Sequence, residues 1–434
     1  MNGWYYSLGK MEDRYRWQEE CLDSWEANDN QGIVQAVTGA GKTIFALKAV
    51  QRLREKCGES LWTAIVVPTR ALMIQWNRIL RSCLLEEEAL EGLQYQVYVI
   101  NSARYRLARQ ILGRLRDGVT VLLIADECHH YTSAENRKIF EFTPYVKETP
   151  GRYCSLGLSA TVMEKGSAEL QLLEETLGRI IFRYSYERAL REGVISEFRL
   201  IQVALHFCED EYEEYQDLSE RMKTIRRQLY LHCPLLKKEG ISFFSVLQSL
   251  AREDNTEIGN FAKSFLYLSY QRKKLVCMAE NRIFCVHELL REIDIRRKVL
   301  VFSESIEQAD MLRELLKCEY GSKVGKYHSK AGKQANENAL ERFKSGEILI
   351  LITCKALDEG VDVPDAGVGI ILSGTGMERQ RMQRLGRILR REEKKEMACL
   401  YYLFIEESME EKSYFPLRGE YFQVEDWEYN ASGD

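Results

Sequence analysis

AVTGAGKT, Ala36–Thr43, closes the apolar run GIVQAV (Gly32–Val37) and opens a helical pattern. A strand, a glycine-rich turn and a helix in that order make a phosphate-binding loop of the GxxxxGK[ST] type, with Ala36 where the first glycine is commoner. Gly39 and Gly41 let the backbone approach phosphate, and the helix N-terminus turns its N–H groups toward an anion. Thr38, Gly39, Ala40 and Gly41 are read as the cradle. Lys42 is placed to reach the β- and γ-phosphates of ATP, and Thr43 to hold Mg²⁺. Such a loop sits at the edge of a parallel sheet, and the surrounding sequence describes one.

Outward from that loop, short apolar runs alternate with helical patterns. They are WTAIVVP (Trp62–Pro68), YQVYVI (Tyr95–Ile100), VTVLLIAD (Val119–Asp126) and YCSLGLSAT (Tyr153–Thr161). Strands that are apolar throughout indicate a parallel sheet covered on both faces. The pattern restarts with KVLVFSES (Lys298–Ser305), a helical stretch over Ile306–Cys318, EILILITC (Glu347–Cys354), VGIILSG (Val368–Gly374) and MACLYYLFI (Met397–Ile405). The expected fold class is α/β, with two tandem parallel-sheet lobes over 1–198 and 199–420 and a tail over 421–434. The strand-like LIQVALHF (Leu200–Phe207) precedes a stretch rich in both charge signs, Glu209–Ala279, which reads as a helical insertion near the start of the second lobe.

DECHH, Asp126–His130, ends the strand VLLIA about 80 residues after the loop. Carboxylates at the C-terminal end of a parallel strand lie where open α/β sheets bind ligands. Asp126 is expected to hold Mg²⁺ and Glu127 to orient and activate the attacking water. QRLGRILR, Gln383–Arg390, supplies arginines from far along the chain, so the full ATP site closes only when two lobes meet. Gln18 lies about two dozen residues before Lys42, and its carboxamide can pair with adenine N6 and N7. Trp17 either stacks on the base or anchors the helix.

Composition bounds the remainder. The 434 residues, 45% hydrophobic and 29% charged, fit a globular protein of two or three domains. A net charge of −5 argues against coating nucleic acid by bulk electrostatics but leaves room for a local basic groove. No apolar segment is long enough to span a membrane, and the N-terminus lacks a signal core, so a cytoplasmic protein without a membrane partner is expected. The 12 cysteines show no CxxC pair, which indicates buried thiols in a reducing compartment and no zinc.

Taken in order, these segments resemble the motifs of superfamily 2 helicases and translocases, on the DExH side, across nearly the whole chain. Gln18 resembles the adenine-reading glutamine, and Lys42 with Thr43 motif I. VVPTRALMIQW (Val66–Trp76) resembles motif Ia, and DECH motif II. Ser159–Ala160–Thr161 resembles motif III, in which Ser159 and Thr161 couple the ATP site to the interlobe face. TCKALDEGVDVPD (Thr353–Asp365) resembles motif V, and QRLGRILR motif VI. The EGVDVP form is most similar to the XPB-like branch, although VMEKG (Val162–Gly166) stands where XPB has an Arg-Glu-Asp element. The family's accessory N-terminal domains are expected to be missing.

The resemblance implies two RecA-like lobes. Gln383, Arg387 and Arg390 would reach the γ-phosphate from the second lobe, and Gly360 and Asp362 would link nucleotide to nucleic acid. Thr69, Arg70, Asn101, Ser102 and Thr353 would contact the nucleic-acid backbone. The expected function is an ATP- and Mg²⁺-dependent motor on DNA, a helicase or duplex translocase, within a repair or antiviral system that includes a protein partner such as a nuclease. The alternatives are an RNA helicase or RNA-sensing ATPase, and an ATP-switched scaffolding subunit.

Overall fold

The structure is a computed structural model that describes residues 16–86, 92–146, 152–160, 166–195, 198–237, 243–253, 256–294, 297–354, 366–373, 397–410 and 423–429. The first sheet contains β1 (Gln31–Ala36), β2 (Leu61–Val67), β3 (Gln94–Val99), β4 (Thr120–Ala125), β5 (Tyr153–Ser159) and β6 (Ile180–Tyr184). All are parallel, in the order β3-β2-β4-β5-β1-β6. Its helices are α1 (Arg16–Glu26), α2 (Lys42–Cys57), α3 (Arg70–Glu86), α4 (Ile100–Arg116), α5 (Thr143–Val146), α6 (Ala168–Leu177) and α7 (Tyr186–Arg191).

β4 shows why its run is apolar throughout. Successive side chains point to opposite faces. Leu122 and Ile124 pack with Trp17, Phe45 and Trp76 of α1, α2 and α3, while Val121 and Leu123 pack with Leu107 and Ile111 of α4 and Leu173 of α6. Both faces are therefore covered, and the loops at the C-terminal ends of the strands are left to bind ligands.

The helical insertion comprises α8 (Glu209–His232), α9 (Phe243–Leu250) and α10 (Glu257–Met278). It has a small core of its own, with Leu218, Met222 and Leu229 against Leu247, Ala262, Phe265 and Leu268. Thr256 caps α10 by accepting the Gly259 N–H, which is worth about 1 kcal/mol at a helix start.

The second sheet contains β7 (Phe198–Leu205), β8 (Val299–Ser303), β9 (Val324–His328), β10 (Ile350–Cys354), β11 (Val368–Ile371), β12 (Ala398–Ile405) and β13 (Gln423–Glu428), with α11 (Glu280–Glu292), α12 (Ile306–Tyr320) and α13 (Lys333–Ser345). Its order is β13-β7-β12-β11-β8-β10-β9, again parallel throughout. β7 thus belongs to the second sheet although the whole insertion follows it.

The expected tail over 421–434 needs correction. Gln423–Glu428 adds an edge strand to β7, and Arg199 clamps Glu425 at 2.6 Å across that pair. β6 and β9 are further strands that the apolar runs did not reveal; each borders its sheet, where residues such as Arg183 and Lys326 interrupt the pattern. No helix among the described residues is long and apolar enough to cross a membrane.

Candidate nucleotide site and nucleic-acid edge

The glycine-rich turn has the backbone that the sequence requires. Gly39 and Gly41 adopt φ of 88° and 89°, a left-handed region that disfavours any side chain. α2 starts at Lys42, so its first N–H groups face the turn. Lys42 Nζ donates to the Ala36 carbonyl at 3.1 Å and lies 3.9 Å from Glu127 Oε1. Gln18 is buried on α1, and its Nε2 donates to the Gly41 carbonyl at 3.4 Å, which brings α1 against the turn. Trp17 is an anchor: it is fully buried and stacks on Tyr184 at 4.7 Å.

At the end of β4, Asp126 and Glu127 form a tightly held acidic pair. Asp126 Oδ2 accepts the Trp76 indole N–H at 2.8 Å, and Oδ1 accepts the Glu127 N–H at 3.0 Å. The Tyr131 hydroxyl reaches the Val66 carbonyl at 2.8 Å and the Asp126 carbonyl at 2.6 Å, pinning β4 to β2 just below the carboxylates. Glu127 has φ 48° and ψ 49°, a left-handed conformation that costs a non-glycine residue on the order of 1 kcal/mol or more. The strain turns its carboxylate back toward Lys42.

Burial, followed by the charge of Glu127, pushes the Asp126 carboxyl up to about 6, while the Trp76 hydrogen bond and Lys42 oppose the rise. Glu127 Oε2 is buried without a hydrogen bond, 3.5 Å from His129 Nδ1. Two crowded carboxylates facing one ammonium, with Thr43 in the first turn of α2, form a hard-oxygen donor set short of positive charge. Such a set fits a hard divalent cation such as Mg²⁺.

His129 links this pair to the next strand. Its Nδ1 lies 3.0 Å from Ser159 Oγ at the end of β5, and both residues are buried. A polar chain therefore runs from Glu127 through His129 to Ser159. Thr161, Gly360, Asp362, Gln383, Arg387 and Arg390 lie outside the described residues.

Comparison with known proteins matches this geometry to a family. Residues 11–164 match the profile of the type III restriction enzyme res subunit, and residues 281–392 match the helicase conserved C-terminal domain. Together the two matches take in more than half of the chain. A relative described as DNA 3'-5' translocase XPB2, from Sulfurisphaera tokodaii, is 28% identical over 386 residues, 87% of this chain and 79% of the relative. The XPB2 helicase/translocase subunit of transcription and repair factor IIH from Arabidopsis thaliana is 22% identical over 86% of this chain, which spans 43% of that protein.

The chain belongs to the XPB-like branch of the superfamily 2 helicases. It is accordingly an ATP hydrolase of the nucleic-acid-dependent kind. The helicase domain of Pyrococcus furiosus Hef shares the fold, with a TM-score of 0.56 at 16% identity over 92% of this chain and 97% of that one.

In this helicase-family chain the expected nucleic-acid contacts share the strand edge with the ATP cradle. Thr69 follows β2, and its Oγ1 accepts the Leu72 N–H at 3.3 Å, capping α3; Arg70, the first residue of α3, is exposed. Asn101 and Ser102 follow β3 and are exposed at the start of α4, where Ser102 Oγ donates to the Val99 carbonyl at 2.8 Å. Thr353 departs from expectation. It is 1% exposed within β10, paired between β8 and β9, so in this arrangement it does not reach a phosphate.

Sequence reasoning passed over Trp76 and Tyr131. The first closes the motif Ia-like segment, and a buried indole N–H requires an acceptor. The sequence showed that requirement but not that Asp126, 50 positions away, meets it.

Proposed function

We propose that this chain is an ATP-dependent DNA motor that uses lobe closure to step along the phosphate backbone. The observation that supports this reading is that one sheet edge carries the cradle and acidic pair after β1 and β4 together with half-buried Thr69 and exposed Arg70, Asn101 and Ser102 around β2 and β3. A shift of β4 against β2 is felt at both sites, since Tyr131 and Trp76 tie these elements together. DNA is favoured over RNA because the archaeal relative is described as a DNA translocase. Phosphate contacts do not read sequence, so movement is sequence-independent.

Lys42 would bind the β- and γ-phosphates of ATP in place of the Ala36 carbonyl. Thr43 and Asp126 would hold Mg²⁺, which when bound neutralises charge across the phosphate oxygens. Glu127 would orient water for attack and accept its proton. Arg387 and Arg390 would act as arginine fingers from the second lobe, with Gln383 beside them and Gly360 and Asp362 joining the nucleotide side to the track. Such fingers contribute roughly 10³–10⁵ in rate, which makes turnover depend on closure. Ser159 and Thr161 would carry that change between the lobes. A partner protein, such as a nuclease, would direct the motor to its task in repair or defence.

The test is ATP turnover with duplex DNA, single-stranded DNA and RNA each as sole activator. Stimulation by duplex DNA is expected. Stimulation by RNA alone sinks the DNA assignment, and turnover indifferent to all three favours the ATP-switched scaffold.

A further inference from the structure

α4 leaves the nucleic-acid edge and runs down the flank of the first lobe. It buries Ala103, Leu107, Ile111 and Leu115, spaced four residues apart along one stripe. At about 100° per residue, the opposite stripe carries Ser102, Tyr105, Arg106, Arg109, Gly113 and Arg116.

The structure sorts the arginines of this helix into two groups. Arg104 is engaged, with Asn101 at 3.0 Å and Glu135 at 3.4 Å. Arg114 is engaged too, 3.3 Å from Gln94 and over the Trp62 ring at 5.5 Å. Arg106, Arg109 and Arg116 are exposed and form no ion pair among the described residues. Asp117 is the one acid among positions 92–118, which hold five arginines in a chain of net charge −5.

Gly113 adds an independent observation. Glycine inside a helix is destabilising, and a methyl group added here would meet nothing within 4 Å, so no internal packing calls for it. What it provides is a low point between Arg109 and Arg116 where another backbone can come close. Tyr105 is 79% exposed at the head of the stripe.

We propose that this face of α4 is a phosphate-tracking surface, continuing the path from Asn101 and Ser102 along the backbone of duplex DNA. The idea rests on the motor reading and extends its footprint. Arg106 and Arg116 stand about 15 Å apart along the helix, the axial length of roughly four base pairs. An acidic protein fits less well, because a protein interface needs buried apolar anchors and this stripe offers only Tyr105.

The test compares the full-length chain with its Arg106→Ala/Arg109→Ala/Arg116→Ala and Arg106→Lys/Arg109→Lys/Arg116→Lys variants. Binding to a 40-base-pair duplex is measured as salt rises, with thermal melting as the folding control. Each phosphate contact contributes about 0.9 to the slope of log affinity against log salt. The alanine variant is expected to lose about 2.7 of that slope. A fourfold rise in salt then weakens wild-type binding about 40-fold more than it weakens the variant's. The lysine variant keeps the wild-type slope, because a phosphate accepts either cation. A folded alanine variant with an unchanged slope overturns the α4 surface and leaves the motor standing. Wild-type chain that binds no duplex at any salt concentration overturns both.

Discussion

The two sheets share a parallel architecture, yet their C-terminal strand edges do opposite things. In the first lobe the edge is charged and unsatisfied: Lys42, Asp126 and a strained Glu127 crowd together with a carboxylate oxygen lacking a hydrogen bond. Among the described residues of the second lobe, the corresponding edge carries buried, paired groups. Gln308 Oε1 accepts the Ser303 hydroxyl at 2.8 Å and the Ser373 hydroxyl at 2.7 Å. Arg282, fully buried, donates to the carbonyls of Leu372, Leu403 and Val276 and pairs with Glu410. Val276 and Cys277 close α10, and Gln308 also donates to the Cys277 carbonyl, so this network fastens the helical insertion to the sheet. The described part of the first edge holds the candidate nucleotide site, and that of the second joins the insertion to the sheet.

The contrast can be broken at either edge. The largest effect is expected from Glu127→Gln, which keeps the shape and removes the base. Steady-state turnover should fall roughly 10²–10⁴-fold while ATP binding persists. Full turnover would move the catalytic role elsewhere. Next comes Arg282→Met. It leaves Glu410 buried and unpaired, and should destabilise the second lobe by about 3–5 kcal/mol in denaturant unfolding, with nucleotide binding to the first lobe spared. Adding Glu410→Met should recover much of that loss, since no charge then remains buried.

Trp76→Phe sharpens the comparison on the first edge. The ring stays and the N–H goes, leaving Asp126 Oδ2 without its donor, a loss of about 1–3 kcal/mol. The Mg²⁺ concentration for half-maximal turnover should rise about tenfold; an unchanged requirement would make Trp76 packing only. The smallest effect is Gly113→Ala, expected to raise unfolding stability by about 0.5–1 kcal/mol, since the site is open and helical. A loss of stability there would reveal packing that the open space does not show.

Local chemistry was the legible part. The loop at Ala36–Thr43 fixes its own geometry over eight residues, so the turn, the helix start and the acidic pair at the end of β4 could be read directly. Fully apolar strands gave both sheets for the same reason. Pairings set by tertiary packing were not legible. The Trp76 bond to Asp126 spans 50 positions, and that of Arg282 to Glu410 spans 128. β13 escaped because Glu425, Asp426 and Trp427 give no apolar run, and the strand forms only where β7 supplies a partner. Thr353 was placed by motif position, and a motif carries no record of how deeply neighbouring strands bury it.

Movement along DNA is the central claim, and displacement of a third strand from a short DNA triplex measures it most directly. With ATP and Mg²⁺, the wild-type chain should release the third strand, and Glu127→Gln should bind the duplex without releasing it. Rapid DNA-stimulated ATP turnover with no release would contradict a motor and leave an ATP-driven switch.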